Sequence, residues 1–179
     1  MQDTAKAFGK AVVLAVILIY LILASLYESL IEPIIIMIAM PLSTAGVLMA
    51  LYFSGNNFSL FVMIGIILLL GMVGKNAILV VDYANRALKR GLDVNEAAIE
   101  AGKMRFRPII MTTLAIIGAM IPLAFIKGPG YESNSPMALA IIGGMISSTI
   151  LSLFVVPAFY KILHPLDSWL RKWYEKGKV

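Results

Sequence analysis

Five apolar runs divide the chain, at residues 11–30, 34–53, 59–85, 108–126 and 137–163. Each reaches the roughly 17–25 residues that a helix needs to cross a hydrocarbon layer. The pattern predicts an all-α membrane protein with five transmembrane helices. Residues 1–165 form the transmembrane domain on this reading, and 166–179 form a short tail. The third and fifth runs exceed the thickness they cross, which implies tilt or protrusion. Breaks between runs carry turn chemistry. ESLIEP (28–33) predicts a tight hairpin with Pro33 at an early helix position. SGNNF (54–58) and KGPGYESNSP (127–136) read as loops. Pro41, Pro122 and Pro157 fall inside runs, where neighbouring helices can satisfy the carbonyls they free.

The one sizeable polar segment is 86–107. Asp93 followed by Glu96 suggests a capping box opening a short helix that Gly102 would end. This segment carries six basic residues: Arg86, Lys89, Arg90, Lys103, Arg105 and Arg107. The end of the chain carries five more: Lys161, Arg171, Lys172, Lys176 and Lys178. Only Lys6, Lys10 and Lys127 lie on the opposite side. The imbalance puts the large loop and the C-terminus in the cytoplasm and the N-terminus on the outer side. One conflict stands out. Lys6 and Lys10 flank the first run, whereas the 28–33 hairpin has no basic residue. Read alone, that hairpin would insert the wrong way, so an upstream sequence is expected to set the topology. Trp169 and Trp173, set among basic residues, make the tail a cytoplasmic interfacial segment on anionic lipid.

Composition narrows the class. The chain is 60% hydrophobic and 14% charged, with a mean hydropathy of +0.91. Soluble domains carry about 25% charged residues, so an ordinary soluble domain is excluded. The net charge of +5 does not signal nucleic acid, because the basic residues flank apolar runs. There are no cysteines and one histidine, His164, which reads as a surface residue at a run end. No cleavable signal peptide is evident. No phosphate-binding loop, zinc-protease motif or nucleophile elbow occurs, so neither an enzyme nor a bound cofactor or metal is expected.

Lys75 carries the sharpest chemical signal. It is the only charge in FVMIGIILLLGMVGKNAILVV, residues 61–81. It lies roughly 15 Å along the helix from the polar end at Asn85 and Arg86. That is about the middle of a hydrocarbon core roughly 30 Å thick. Such a charge costs about 2.5–3.5 kcal/mol on insertion scales and normally serves ion or proton movement. The bland alternative is a lysine satisfied by carbonyls inside a bundle. Asn76 follows it and can share its polar surroundings. Asp82 is seven positions on, nearly the same helical face. It is some 10 Å of rise away and reads better as an interfacial or packing carboxylate.

Arg105 and Arg107 precede Pro108 and can be topology anchors. Thr112 and Thr113 sit one turn further in, where threonine usually bonds its own backbone. Glu28 and Glu32, the acids of the first hairpin, read as solvated at the interface. No carboxylate falls at the depth of Lys75, so its partner belongs to another segment or subunit. Ala140/Gly144, Gly143/Ser147 and Gly144/Ser148 form small-xxx-small pairs suited to close helix packing.

The run GKNAILVVDYANRALKRGLDVNEAAIEAGKMRFRPIIMTT resembles the tenth and eleventh transmembrane helices of resistance-nodulation-division (RND) efflux transporters. LILASLYES, PIIIMIAMPLS and MALAIIGGMISSTILSLFVVPAFY resemble neighbouring helices of the same family. GKNAIL is closer to the hydrophobe/amphiphile multidrug branch than to the heavy-metal branch. The resemblance covers helices eight to twelve and implies a proton-driven drug antiporter of the Gram-negative inner membrane. It implies that Lys75, Arg105 and Thr112 form the proton relay, with Asn76 and Asp82 in support. In the family two aspartates on the fourth helix complete the relay. That helix and the periplasmic porter regions have no counterpart here, so the chain reads as a C-terminal transmembrane fragment, inactive alone. The implied partners are protons, small amphiphilic drugs, the rest of a homotrimeric transporter, a periplasmic adaptor and an outer-membrane channel. A different class stays open: a non-transporting helical membrane protein that assembles with or regulates a full-length pump.

Overall fold

The computed structural model describes residues 2–176, with side chains over 6–164. The expected tail with Trp169 and Trp173 lies outside the residues whose side chains are described. Five helices follow one another: α1 (Gln2–Tyr27), α2 (Glu32–Ser54), α3 (Leu60–Lys89), α4 (Val94–Phe125) and α5 (Tyr131–Lys176). All five are long and apolar enough to cross a membrane. The chain is an all-α membrane protein with five transmembrane helices.

The helix boundaries follow local chemistry. Ser29 Oγ accepts from the amides of Ile31 and Glu32, covering the start of α2 ahead of Pro33. Ser59 caps α3 by accepting from the Val62 amide. Asp93 caps α4 by accepting from the Asn95 amide. The backbone amides of Asn95 and Val94, then the Asn95 side chain, hold the Asp93 carboxyl below its ordinary range. Helices stop where glycine takes up left-handed backbone, at Gly55 after α2 and Gly91 after α3. Gly102 does not end a helix. It stays helical within α4, which runs unbroken through Pro108 to Phe125. The stop signal is a positive φ rather than glycine as such, and Gly102 instead lies against Pro157 and Leu153 of α5.

The long α5 packs along α2, α3 and α4, while α1 lies mainly against α2. The core joins Ile35, Ile36 and Val47 of α2 to Leu69, Val73 and Val80 of α3, with Ile109, Ile141 and Met145 completing it. The closest approach is between α2 and α5. A Cβ on Gly46 would run into Ser147 and the Gly143 carbonyl, and one on Gly143 into Ala50 and the Gly46 carbonyl. Ser147 Oγ donates to the Leu42 carbonyl across the same seam, at 3.3 Å. The small-residue pairs of the fifth run therefore serve helix contact.

Between α4 and α5, Thr113 Oγ1 and Thr149 Oγ1 share a buried hydrogen bond of 2.7 Å. Thr113 thus bonds across helices rather than to its own backbone. Replacing Thr113 with Val should lower stability in detergent by about 0.6 kcal/mol, the average for such bonds in membrane helices. In a double-mutant cycle with Thr149→Val, the two losses should couple. Additive losses would show that the bond contributes nothing.

Candidate functional site

On α3 the exposed positions Phe61, Ile64, Leu68, Gly71 and Lys75 recur at alternating steps of three and four. They form one stripe on the outside of the five-helix bundle. Lys75 sits on it, and among the described residues it makes no ion pair or side-chain hydrogen bond. Asn76, one position round the helix, points inward and is buried. The two residues do not share a pocket. Asp82 pairs with Arg86 at 2.9 Å, one turn on, at the half-exposed end of α3.

Arg105 stacks its guanidinium over the Tyr83 ring, 5.5 Å from the centroid. Arg90 stacks on the same ring at 5.4 Å. The Tyr83 hydroxyl donates to Glu100 at 3.0 Å, and Arg90 pairs with Glu100 at 3.4 Å. Arg105 Nε is buried and meets no acceptor among the described residues. A buried donor left unsatisfied costs about 1–3 kcal/mol, so this position suits a further acceptor.

Tyr83 fixes the relative depths. Lys75 precedes it by eight residues, roughly 12 Å along α3. Thr112 follows Arg105 by seven residues on antiparallel α4, roughly 10 Å in the same direction. Lys75 and Thr112 therefore lie at about the same depth, with Arg105 nearer the basic end. Thr112 is exposed and donates to its own helix at the Ile109 carbonyl, 3.0 Å away. Arg107 is exposed.

Glu32 departs from its reading as a solvated acid. It is 5% exposed and accepts from Asn85 Nδ2 at 2.8 Å. Tyr160, itself buried, donates to Asn85 Oδ1, so α2, α3 and α5 are tied together at the basic end. His164 is half-buried against the Tyr160 ring rather than on the surface. Glu28 is exposed, as expected, and holds a left-handed φ of 49° at the hairpin. Nothing in the sequence marked Tyr83, Glu100 or Tyr160 as polar partners, and Asn85 counted there only as the polar end of the third run. The only local sign was an aromatic beside charged residues at a helix end, as in Asp82-Tyr83.

Five long apolar helices packed into one bundle define a multi-pass membrane protein. Residues 1–164 match the AcrB/AcrD/AcrF family, and the chain belongs to it, among the RND transporters. The swarming motility protein SwrC of Bacillus subtilis is 39% identical over 162 residues, covering 90% of this chain and 15% of that protein. The multidrug resistance protein MdtC of Erwinia amylovora is 42% identical over 137 residues, covering 76% and 13%. MdtC of Proteus mirabilis is 40% identical over 147 residues, covering 82% and 14%. The chain thus spans only a small part of the length of these relatives.

Proposed function

We propose that the chain is the five-helix transmembrane part of a proton-driven multidrug efflux transporter, supplying the basic side of its proton relay. One observation carries this reading. Lys75, with no ion pair or side-chain hydrogen bond among the described residues, stands on the outer face of the bundle at the depth of Thr112, where an ammonium is expensive without a carboxylate. An acidic helix from another part of the transporter, packed on the α3 stripe, would neutralise it. Protonation of that acid would release the lysine, giving a two-state element that drives movement elsewhere. Arg105, with its unsatisfied Nε, can take an acceptor on the same side. Drug binding, trimer formation, and docking to a periplasmic adaptor and outer-membrane channel fall to segments beyond these helices. The protein would sit in the bacterial inner membrane with its N-terminus periplasmic and its C-terminus cytoplasmic.

The test is reassembly. The chain is co-expressed in an efflux-deficient strain with a second polypeptide carrying the remaining helices and porter regions of a related transporter. Drug resistance and proton-dependent dye extrusion should appear only when both are present. Full efflux from the second polypeptide alone would remove any role for this chain.

A further inference from the structure

A second feature lies where α4 meets α5. Between α4 and α5 a cavity of about 580 Å³ opens outward at the basic end. Its walls are apolar, with Phe106 from α4 and Phe154 from α5 at its mouth, and Gly102 and Pro157 at its floor. Phe154 is 74% exposed and Phe106 54%, so both rings stand free on the bundle surface. The one charged group on the lining is Lys103.

Three facts bear on what fits there. The groove lies where α4 passes from basic residues (Lys103, Arg105, Arg107) into the apolar run that begins at Pro108. It therefore sits at the boundary between headgroups and acyl chains. Lys103 makes no ion pair among the described residues, and Glu100, three positions before it, is engaged by Arg90 and Tyr83. A Cβ on Gly102 would already touch Pro157 and Leu153 at 3.7 and 3.9 Å, so a larger side chain there would crowd the groove. A protein helix seated here would bury the Lys103 ammonium among aromatic rings. A lipid would keep it at the polar boundary, with the lysine stem lying along the apolar wall.

We propose that this groove binds an anionic phospholipid, with an acyl chain between Phe106 and Phe154 and the headgroup phosphate on Lys103. Contact with an acyl chain alone would hold for any lipid. The specific content is a headgroup preference carried by Lys103. One basic residue at an anionic membrane surface is worth roughly a fivefold preference.

Bromolipid quenching tests this on the purified full chain in detergent. Trp169 and Trp173 are replaced by Phe, and Phe154→Trp supplies a single fluorophore at the groove mouth. Dibrominated phosphatidylglycerol should quench it at about one-fifth the mole fraction needed for dibrominated phosphatidylcholine. Lys103→Gln should abolish the difference, and Lys103→Arg should keep it. Gly102→Leu should weaken quenching by both lipids. Circular dichroism checks that each variant retains its helix content. Equal quenching by the two lipids overturns the proposal. So does a preference that survives Lys103→Gln, or quenching indifferent to Gly102→Leu, which would put the lipid elsewhere or give the groove to another helix.

Discussion

Lys75→Ala should reduce drug extrusion by the reassembled transporter to background while making the isolated chain easier to insert. The two effects have one cause. Lys75 lies in the middle of a 21-residue stretch with no other charge and faces outward from the bundle. Removing it should favour insertion of α3 by about 2.5–3.5 kcal/mol on insertion scales. A residue that costs this much, if extrusion proves to need it, acts through its charge. Lys75→Arg sharpens the test, because guanidinium keeps its proton throughout the working pH range. If Lys75 serves only as a fixed counter-charge, the arginine variant should retain part of the extrusion. If the lysine must itself lose a proton, the variant should be as inactive as Lys75→Ala. Extrusion that survives Lys75→Ala would sink the assigned role. The insertion measurement reads α3 in the translocon, and extrusion reads dye loss from cells, so the two arms fail independently.

The second large effect is structural, and it shows as a difference of sign. Gly143→Ala should destabilise the chain in detergent by about 1–3 kcal/mol, the usual cost of overpacking. The new methyl would fall on Ala50 and on the Gly46 carbonyl, and backbone atoms cannot rotate out of its way. Gly71→Ala should instead stabilise it by about 0.5–1 kcal/mol, because a helical glycine is replaced where nothing lies within 4 Å. Unfolding in mixed detergent, followed by circular dichroism, reads both. Equal effects of the two substitutions would mean that α2 and α5 do not approach as closely as described. In the reassembled transporter Gly71 lies on the same stripe as Lys75. Loss of extrusion by Gly71→Ala there, beside a gain in the isolated chain, would locate the docking face of the partner helix.

Much of the architecture could be read from the sequence, for a physical reason. Backbone polar groups in hydrocarbon must bond within their own segment, so a run of about 20 apolar residues leaves little choice but a spanning helix. Lys75 stood out on the same grounds, since depth along a helix follows from counting residues. Small residues at steps of four in the fifth run marked a close seam, and α2 and α5 make it. The N-cap of α4 at Asp93 was equally local.

The polar partnerships were not local. Glu32 meets Asn85 from 53 positions away, Tyr160 meets Asn85 from 75, and Thr113 meets Thr149 from 36. Hydrophobic periodicity marks the face a residue occupies without marking which polar group waits opposite. Hence Glu32 read as solvated although it is buried, and Thr113 was expected to bond its own helix although it bridges two. Arg105 shows the same limit. Its sequence context suggested an anchor and the family resemblance a relay member, and only the packing of α3 on α4 put Tyr83 beneath it.

Five membrane-crossing helices, a basic end and one lysine at mid-depth were legible in the sequence, because segment length, hydropathy and residue count decide each of these. Tertiary structure alone decided that Lys75 faces out and Asn76 in, that α4 continues through Gly102 and Pro108, and that Glu32 is buried. These depend on which helices lie side by side, and that is set by the close approach of small residues and the pairing of polar groups far apart in the chain.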